Sequence, residues 1–468
     1  MKNILIIIFL LFTFQTIAQK KHKITVKINN ANDTVMVLAN YWGNKIKIAE
    51  KTHAEEPGVF VFAGDSLLPG GIYMLVNKDK SKLFEFIIDK NQIFSLTTTP
   101  ENYIANMKVK GDKENKLFFK YLLFNESIFI ALKSIDDSLI DVSPETKKFK
   151  ILSGEKDSLK KILKNYKKNV IDNNKGTFTA TLLKAMQDIT IPDSIKNNSN
   201  KTETYKYLKK HYWDNFDLSD SRLLRTPLYD KKIKEYFNNI IPLDVDSVIK
   251  EVDKVIALAK PNKETVGFLV WHFTSEYQNP KYMGFDKVFV HLVDNYFTKM
   301  DIAYTTPSIL ESLKKRADAL RPLLIGKQAP NLILTDTTGN YRSFLNISAE
   351  FTVLLFWDYK CGICKAQIKE LKKILSENKK YNIEVFAVNT NNDIDKWKKM
   401  IKEREIEDWI NVNGTNGVTQ DFFKLYDIDS TPVIYILDKN KKIIAKKIDA
   451  ENIIKFLKYY TAKINAND

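Results

Sequence analysis

Residues 351–371 read FTVLLFWDYKCGICKAQIKEL. Val353-Leu354-Leu355-Phe356-Trp357 is an unbroken apolar run of the residue types that suit a strand buried on both faces. Asp358-Tyr359-Lys360 forms a short polar turn, and Cys361-Gly362-Ile363-Cys364 follows it. Beyond the pair, Ile368, Leu371 and Leu375 recur three and four apart, which predicts a helix with one apolar face. The stretch therefore reads strand, turn, paired cysteines, helix. These are the only 2 cysteines in 468 residues. A bridge between them closes so small a loop that it constrains little of the unfolded chain. Stability is a poor reason for such a pair, and thiol chemistry is the better one.

The length is too great for one ordinary core, so two or three domains are expected. Hydrophobic residues at 44% and aromatics at 12% are ample for folded domains. The formal net charge is +16, but the lysines are scattered among asparagines, without an arginine-rich patch or a recognised nucleic-acid motif. The charge is read as solvated surface, with no nucleic-acid partner. The opening MKNILIIIFLLFTFQTIAQK has Lys2, an apolar core from Ile4 to Phe12 and a small residue at Ala18. That is the anatomy of a secretory signal peptide over residues 1–18, cleaved after Ala18. The core is short for a membrane span, and an uncleaved anchor is the alternative. No cysteine lies near the cleavage point, so a lipoprotein is not expected. Export predicts a periplasmic or cell-envelope location. An exported protein that used disulfides as staples would show several dispersed cysteines.

Residues 19–110 read as β structure of sandwich-like type, small and antiparallel. Ile24–Ile28 alternates, and apolar runs follow at 35–38, 59–62, 72–76 and 84–88, separated by turn signals such as Pro57-Gly58 and Pro69-Gly70-Gly71. His22 and His53 are isolated and are expected at the surface. Residues 111–321 read as an α-helical domain, punctuated by Pro192, Pro227, Pro242, Pro261 and Pro280. Thr177–Met186 is expected to be an amphipathic helix. His211, His272 and His291 are too far apart for a metal motif, and Trp271 and Tyr282 are expected in the core. Residues 322–468 alternate strands with helices. Ile383–Val388 is a strand, Ile394–Ile401 and Val418–Tyr426 are helices, 433–437 and 443–448 are two strands joined by a turn, and Asn452–Tyr460 is a last helix. That is α/β order.

The chain resembles the TlpA/ResA branch of the thioredoxin superfamily through GKQAPNLILTDTTG (Gly326–Gly339), VLLFWDYKCGIC (Val353–Cys364) and YDIDSTPVIYILDKNKKII (Tyr426–Ile444). The resemblance covers roughly residues 322–465 and implies a thioredoxin-like fold. The two upstream regions resemble the β and helical domains that precede such domains in exported Bacteroidetes proteins, and carry no known activity. The resemblance implies a thiol–disulfide oxidoreductase, with Cys361 as the attacking thiol and Cys364 as the resolving one. It implies no cofactor beyond the redox-active Cys361–Cys364 disulfide. Thr431-Pro432 would be the loop facing the pair, with Pro432 cis, able to hold a substrate strand. Exported thiol or disulfide proteins are the implied clients, and a membrane electron donor the implied source of reducing equivalents. Trp357, Lys360 and Gln367 support the motif. Physical chemistry agrees for Cys361, since a helix N-terminus favours a thiolate.

Several positions depart from the family pattern. Lys360 stands where tryptophan is usual, and Ile363 replaces a common proline. Gln367 occupies the place of a glutamate found in many relatives, and Leu355 that of the buried acid of thioredoxin itself. Proton transfer at Cys364 thus lacks an evident carboxylate, and Asp358 is the nearest acid in sequence. A zinc site is not expected, because residues 322–468 contain no histidine and no further cysteine. A peroxidase would need threonine where Asp358 stands. The rival reading is an envelope ligand- or partner-binding protein on a redox-idle thioredoxin scaffold.

Overall fold

The computed structural model describes residues 21–196, 201–419 and 421–465. The expected signal peptide, residues 1–18, falls outside the described residues. No described helix is long and apolar enough to cross a membrane. The chain forms two compact units. One comprises the residues up to Ile241 with Leu258–Thr265, and the other Pro242–Ala257 with Val266 onward.

The first unit is built on eight strands, β1 (His22–Ile28), β2 (Val35–Trp42), β3 (Lys45–Glu56), β4 (Val59–Gly64), β5 (Gly71–Asn77), β6 (Lys82–Ile88), β7 (Ile93–Thr98) and β8 (Lys108–Lys110). Their order is β6-β5-β2-β3-β4-β1-β7-β8. All pairings are antiparallel except β1 with β7, which is parallel, so the sheet is not purely antiparallel as expected. Alternate residues of β1, β2, β4, β5, β6 and β7 meet in one core that includes Ile24, Val26, Leu38, Phe60, Phe62, Leu75, Phe86 and Leu96. That single core draws on strands from both halves of the order. β3 escapes prediction because its sequence, KIKIAEKTHAEE, presents almost no buried face. His22 is buried rather than exposed. Its Nδ1 donates to Ser66 O at 2.6 Å, and its Nε2 lies 2.8 Å from Glu50. Those partners come from β3 and the β4–β5 loop, which local sequence does not reveal.

The helices of this unit are α1 (Lys113–Leu139), α2 (Lys147–Asn173), α3 (Phe178–Ala185), α4 (Asp193–Lys196), α5 (Lys201–His211), α6 (Ser221–Leu224) and α7 (Leu228–Asn239). Asn115 pins α1 to the sheet, accepting from Ile87 N at 2.8 Å and donating to Ile87 O at 2.7 Å. Burial of that amide is tolerated because both of its polar atoms are satisfied. α3 was expected to be amphipathic, yet Phe178, Thr179, Ala180, Leu182, Leu183 and Ala185 are all buried. The carboxylate of Glu114 meets its first amides, Phe178 N at 3.0 Å and Thr179 N at 2.7 Å, which satisfies donors at the helix start.

The helical stretch does not stand alone. The division between the units falls within α8 (Val245–Ala259) and α9 (Lys263–Tyr277), and α10 (Asp286–Leu292) and α11 (Pro307–Leu320) belong with the C-terminal region. Within that second unit Trp271 is only half-buried, its Nε1 donating to Ala303 O at 3.0 Å, and Tyr282 is exposed rather than in the core.

The second unit contains a seven-stranded sheet ordered β10-β9-β13-β12-β11-β14-β15. Its strands are β9 (Ile333–Asp336), β10 (Tyr341–Ser343), β11 (Phe351–Trp357), β12 (Ile383–Asn389), β13 (Ile410–Gly417), β14 (Val433–Leu437) and β15 (Ile443–Lys446). All seven residues of β11 are buried, as the apolar run predicts. Period-two geometry sends Val353, Leu355 and Trp357 into one layer and Leu354 and Phe356 into the other. The first layer is closed by α12 (Gly362–Glu377), α13 (Ile394–Glu403) and α15 (Ile453–Asn465). β11 pairs in parallel with β12 and antiparallel with β14, so the cysteine-bearing loop and the loop before β14 emerge at the same sheet end. The helix expected over 418–426 shrinks to α14 (Phe422–Leu425), which Asp421 caps by accepting from Lys424 N.

Candidate active site

β11 ends at Trp357, and a compact turn carries the chain into α12. Asp358 organises that turn. Its carbonyl accepts from Cys361 N at 3.1 Å, its Oδ1 accepts from Lys360 N at 2.8 Å, and its Oδ2 accepts from Asn391 Nδ2 at 3.3 Å. A carboxylate so engaged is a turn-former rather than a free proton acceptor.

Cys361 is the N-cap of α12, with extended backbone at φ −80° and ψ 114°. Its sulfur takes the place usually held by a serine or aspartate oxygen and accepts from Cys364 N at 3.1 Å. A donated amide and the helix N-terminus both favour negative charge on that sulfur. Cys361 Sγ also lies 3.4 Å from Thr431 O, and the Thr431–Pro432 bond is cis. The loop implied by resemblance thus faces the pair. Proline there leaves no backbone donor, so the main-chain group that this loop sets against Cys361 is an acceptor.

Cys364 sits one turn on and is fully buried, against Leu355, Trp357 and Ile368 in the apolar layer. Burial pushes its thiol up to about 12, reinforced by a hydrogen bond with Cys361, while Asp358 and Thr431 oppose the rise. The two thiols are unbridged, and the first is partly accessible while the second is not. Nucleophile outside and resolving thiol inside is the arrangement that sequential disulfide exchange needs.

The supporting positions divide. Trp357 is buried in the layer beneath the motif. The side chain of Lys360 is exposed and its Nζ lies 5.7 Å from the Tyr359 ring centroid, so its charge is largely given to solvent. Gln367 accepts from Ala450 N through Oε1 at 2.7 Å and thereby holds the start of the last helical segment. It also lines a cavity of about 210 Å³ with Pro432, Asp427, Asp429, Lys447 and Asp449. Leu355 lies in the layer around Cys364, so no acid takes the place of the buried one of thioredoxin.

One residue near the pair was not read from sequence. Arg404, the C-cap of α13, donates from Nη2 to Tyr359 O at 3.0 Å, and its guanidinium carbon lies 4.9 Å from the centroid of the Trp357 ring. In sequence it is one basic residue within KEREIED, indistinguishable from a solvated charge.

Residues 325–446 match the AhpC/TSA family, residues 155–318 a domain of unknown function, DUF5106, and residues 22–118 another, DUF4369. A thiol-disulfide oxidoreductase ResA of Bacillus thuringiensis is 23% identical over 140 residues, covering 30% of this chain and 78% of its own. A solved domain of a possible thiol-disulfide isomerase from Cytophaga hutchinsonii is 43% identical, covering 31% of this chain and 98% of its own, with a TM-score of 0.30. A thioredoxin-like protein from Bacteroides caccae is 20% identical and covers 58% of this chain and 98% of its own, with a TM-score of 0.46.

Proposed function

The chain belongs, through its C-terminal domain, to the thioredoxin-like thiol–disulfide oxidoreductases related to ResA, and from that premise we propose that it reduces disulfides of exported proteins in the cell envelope. The single observation that carries the reading is the asymmetry of the pair. Cys361 is a partly exposed N-cap sulfur that receives an amide at 3.1 Å, beside an apolar-buried Cys364.

In the proposed cycle the Cys361 thiolate attacks one sulfur of a client disulfide. A Cys361–client bond forms, the client S–S bond breaks, and the second client sulfur leaves as a thiolate that takes a proton. Cys364, once deprotonated, attacks Cys361 Sγ. The Cys361–Cys364 disulfide forms, the client leaves with both thiols, and two electrons have passed to it. An external dithiol, from a donor held in the membrane, returns the pair to its reduced state. No cofactor beyond the disulfide enters the scheme. The signal-peptide anatomy of residues 1–18 supports export, and resemblance to relatives that reduce supports the direction.

Thr431 and Pro432 are proposed to receive the client backbone beside Cys361, since Thr431 O already faces that sulfur. Peroxide reduction is not favoured, because Asp358 occupies the position three residues before Cys361 and both its carboxylate oxygens are engaged in the turn. In the test, Cys361→Ser abolishes disulfide exchange with the fold intact by circular dichroism, and Cys364→Ser accumulates the mixed disulfide with a client, seen by mass spectrometry. Exchange at the unaltered rate in Cys361→Ser would contradict the assigned roles.

A further inference from the structure

Arg404 is held from several sides. Its backbone N–H bonds Met400 O at 3.0 Å at the end of α13, and its carbonyl accepts from Lys372 Nζ of α12 at 3.0 Å. The guanidinium lies over Trp357, the last residue of β11, and donates to Tyr359 O in the loop that leads to Cys361. Three elements of the thiol site thus fix one cation. Nη1 is buried and has no hydrogen-bond partner, and among the described residues Arg404 makes no ion pair. A half-buried guanidinium whose buried Nη1 has no acceptor and which has no carboxylate partner is a costly arrangement unless an anion is due there. Burial pulls the group below its ordinary range, whereas negative charge at Cys364, and then at Cys361, raises it.

We infer that Arg404 is the counter-charge of the reduced Cys361–Cys364 pair, a positioning residue that stabilises the thiolate through space. The inference rests on the redox reading of the pair. It supplies what the missing carboxylates leave open: with Gln367 and Leu355 in the places of acids, the site favours the charged sulfur with a fixed cation instead of moving its proton to a fixed base. The other ionisable groups around it do not take this role. Asp358 and Glu403 act on Arg404 only across space, Tyr359 donates its hydroxyl to Asn391, Lys372 pairs with Glu405, and Lys360 is exposed. Thr431 and Pro432 carry no titratable group, and Asp427 and Asp429 just before them line the Gln367 cavity with Pro432.

The test titrates thiolate absorbance at 240 nm in the reduced full chain, comparing Arg404→Gln and Arg404→Lys with the unaltered protein. Removing the charge is expected to cut the thiolate fraction at neutral pH about tenfold, the equivalent of one unit in the midpoint. Above the midpoint, where the thiolate dominates the reduced form, that form loses the same stabilisation and the reduction potential falls by about 30 mV, whereas well below the midpoint it does not move. Arg404→Lys is expected to stay closer to the unaltered protein, which a merely structural residue would not produce. An unmoved midpoint in Arg404→Gln overturns the inference, and so does an equal shift in both variants. If either variant fails to fold, guanidinium ¹⁵N resonances in the unaltered protein decide. They should move with the thiol titration, and a flat response overturns the assignment. Loss of exchange in Cys361→Ser with an unmoved Arg404→Gln titration removes this inference alone. Exchange that survives Cys361→Ser removes the redox reading beneath it.

Discussion

Cys361 and Cys364 are three residues apart, yet they differ in exposure and in hydrogen bonding, and the difference comes from the start of one helix. The N-cap sulfur looks outward, and the sulfur one turn later falls on the face that packs against β11. The proposed order of attack and resolution follows from that geometry. The same face predicts a slow step. Cys364 must ionise in an apolar layer, and Gln367, on that helix, offers an amide already committed to Ala450 N. Gln367→Glu keeps an acceptor for that N–H and adds a carboxylate. We predict that resolution of the mixed disulfide speeds up about tenfold near neutral pH, below the roughly 10²-fold of a well-placed general base. A flat or slower rate by stopped flow would show that the missing acid is not what limits the step. The cysteines, the cis-proline loop and the turn were legible because each has a local signature. Arg404 was not, since a counter-charge is defined by what surrounds it, and its surroundings come from β11, α12 and the active loop.

At the scale of elements, charge pairs within the second unit tie its helices to its sheet. Lys446 of β15 pairs with Asp286 of α10 and donates to Leu323 O at 2.8 Å, with both ionic side chains buried. Asp427 accepts from Arg316 of α11, with Nη2 at 3.1 Å, and from Lys447 at 2.9 Å. It precedes the Ser430-Thr431-Pro432 loop by only a few residues. Burial alone would raise the Asp427 carboxyl, but its hydrogen bonds and its two cationic partners outweigh burial and hold it below the ordinary carboxylate range. The sign follows: stability from this group is present in full above the unfolded-state value and is lost as pH falls through the lower folded-state value. Asp427→Asn should cost about 2 kcal/mol at pH 7, less than a fully buried pair because Arg316 and Lys447 are partly solvated. Denaturant melts of the two proteins should converge between pH 4 and pH 2. A gap that stays constant over that range would mean the carboxylate charge is not what stabilises the clamp. None of these pairs is visible in sequence, where Lys447 stands 20 residues from Asp427 and the other partners more than a hundred residues apart. β13 was missed for a related reason. INVNGTNG lacks an apolar pattern, and Asn411 and Asn413 are buried only because their amides reach Ile406 O at 2.6 Å and Asn391 O at 3.2 Å.

For the whole molecule, the sequence pattern separated a β region, a helical region and an α/β region, and the fold class followed from the change in hydrophobic period. What the pattern did not carry was the partition of the helices, which divide between two units because their partners are chosen by packing. The parallel pairing of β1 with β7 was equally hidden, since strands so far apart in sequence meet only when the sheet closes over its core. The chemistry, by contrast, is concentrated in one short stretch and the loop that faces it. The account therefore stands or falls on whether that stretch cycles. The most direct measurement is the reduction potential of the Cys361–Cys364 pair in the full chain, by equilibration with defined thiol buffers and mass spectrometry. The account predicts a reversible two-electron couple at the reducing end of the range, near the about −270 mV of thioredoxin and far from the about −120 mV of a strong oxidant. A potential at the oxidising end would contradict the reductase direction, and a pair that never forms a reversible disulfide would contradict the redox function and leave a binding protein on an idle scaffold.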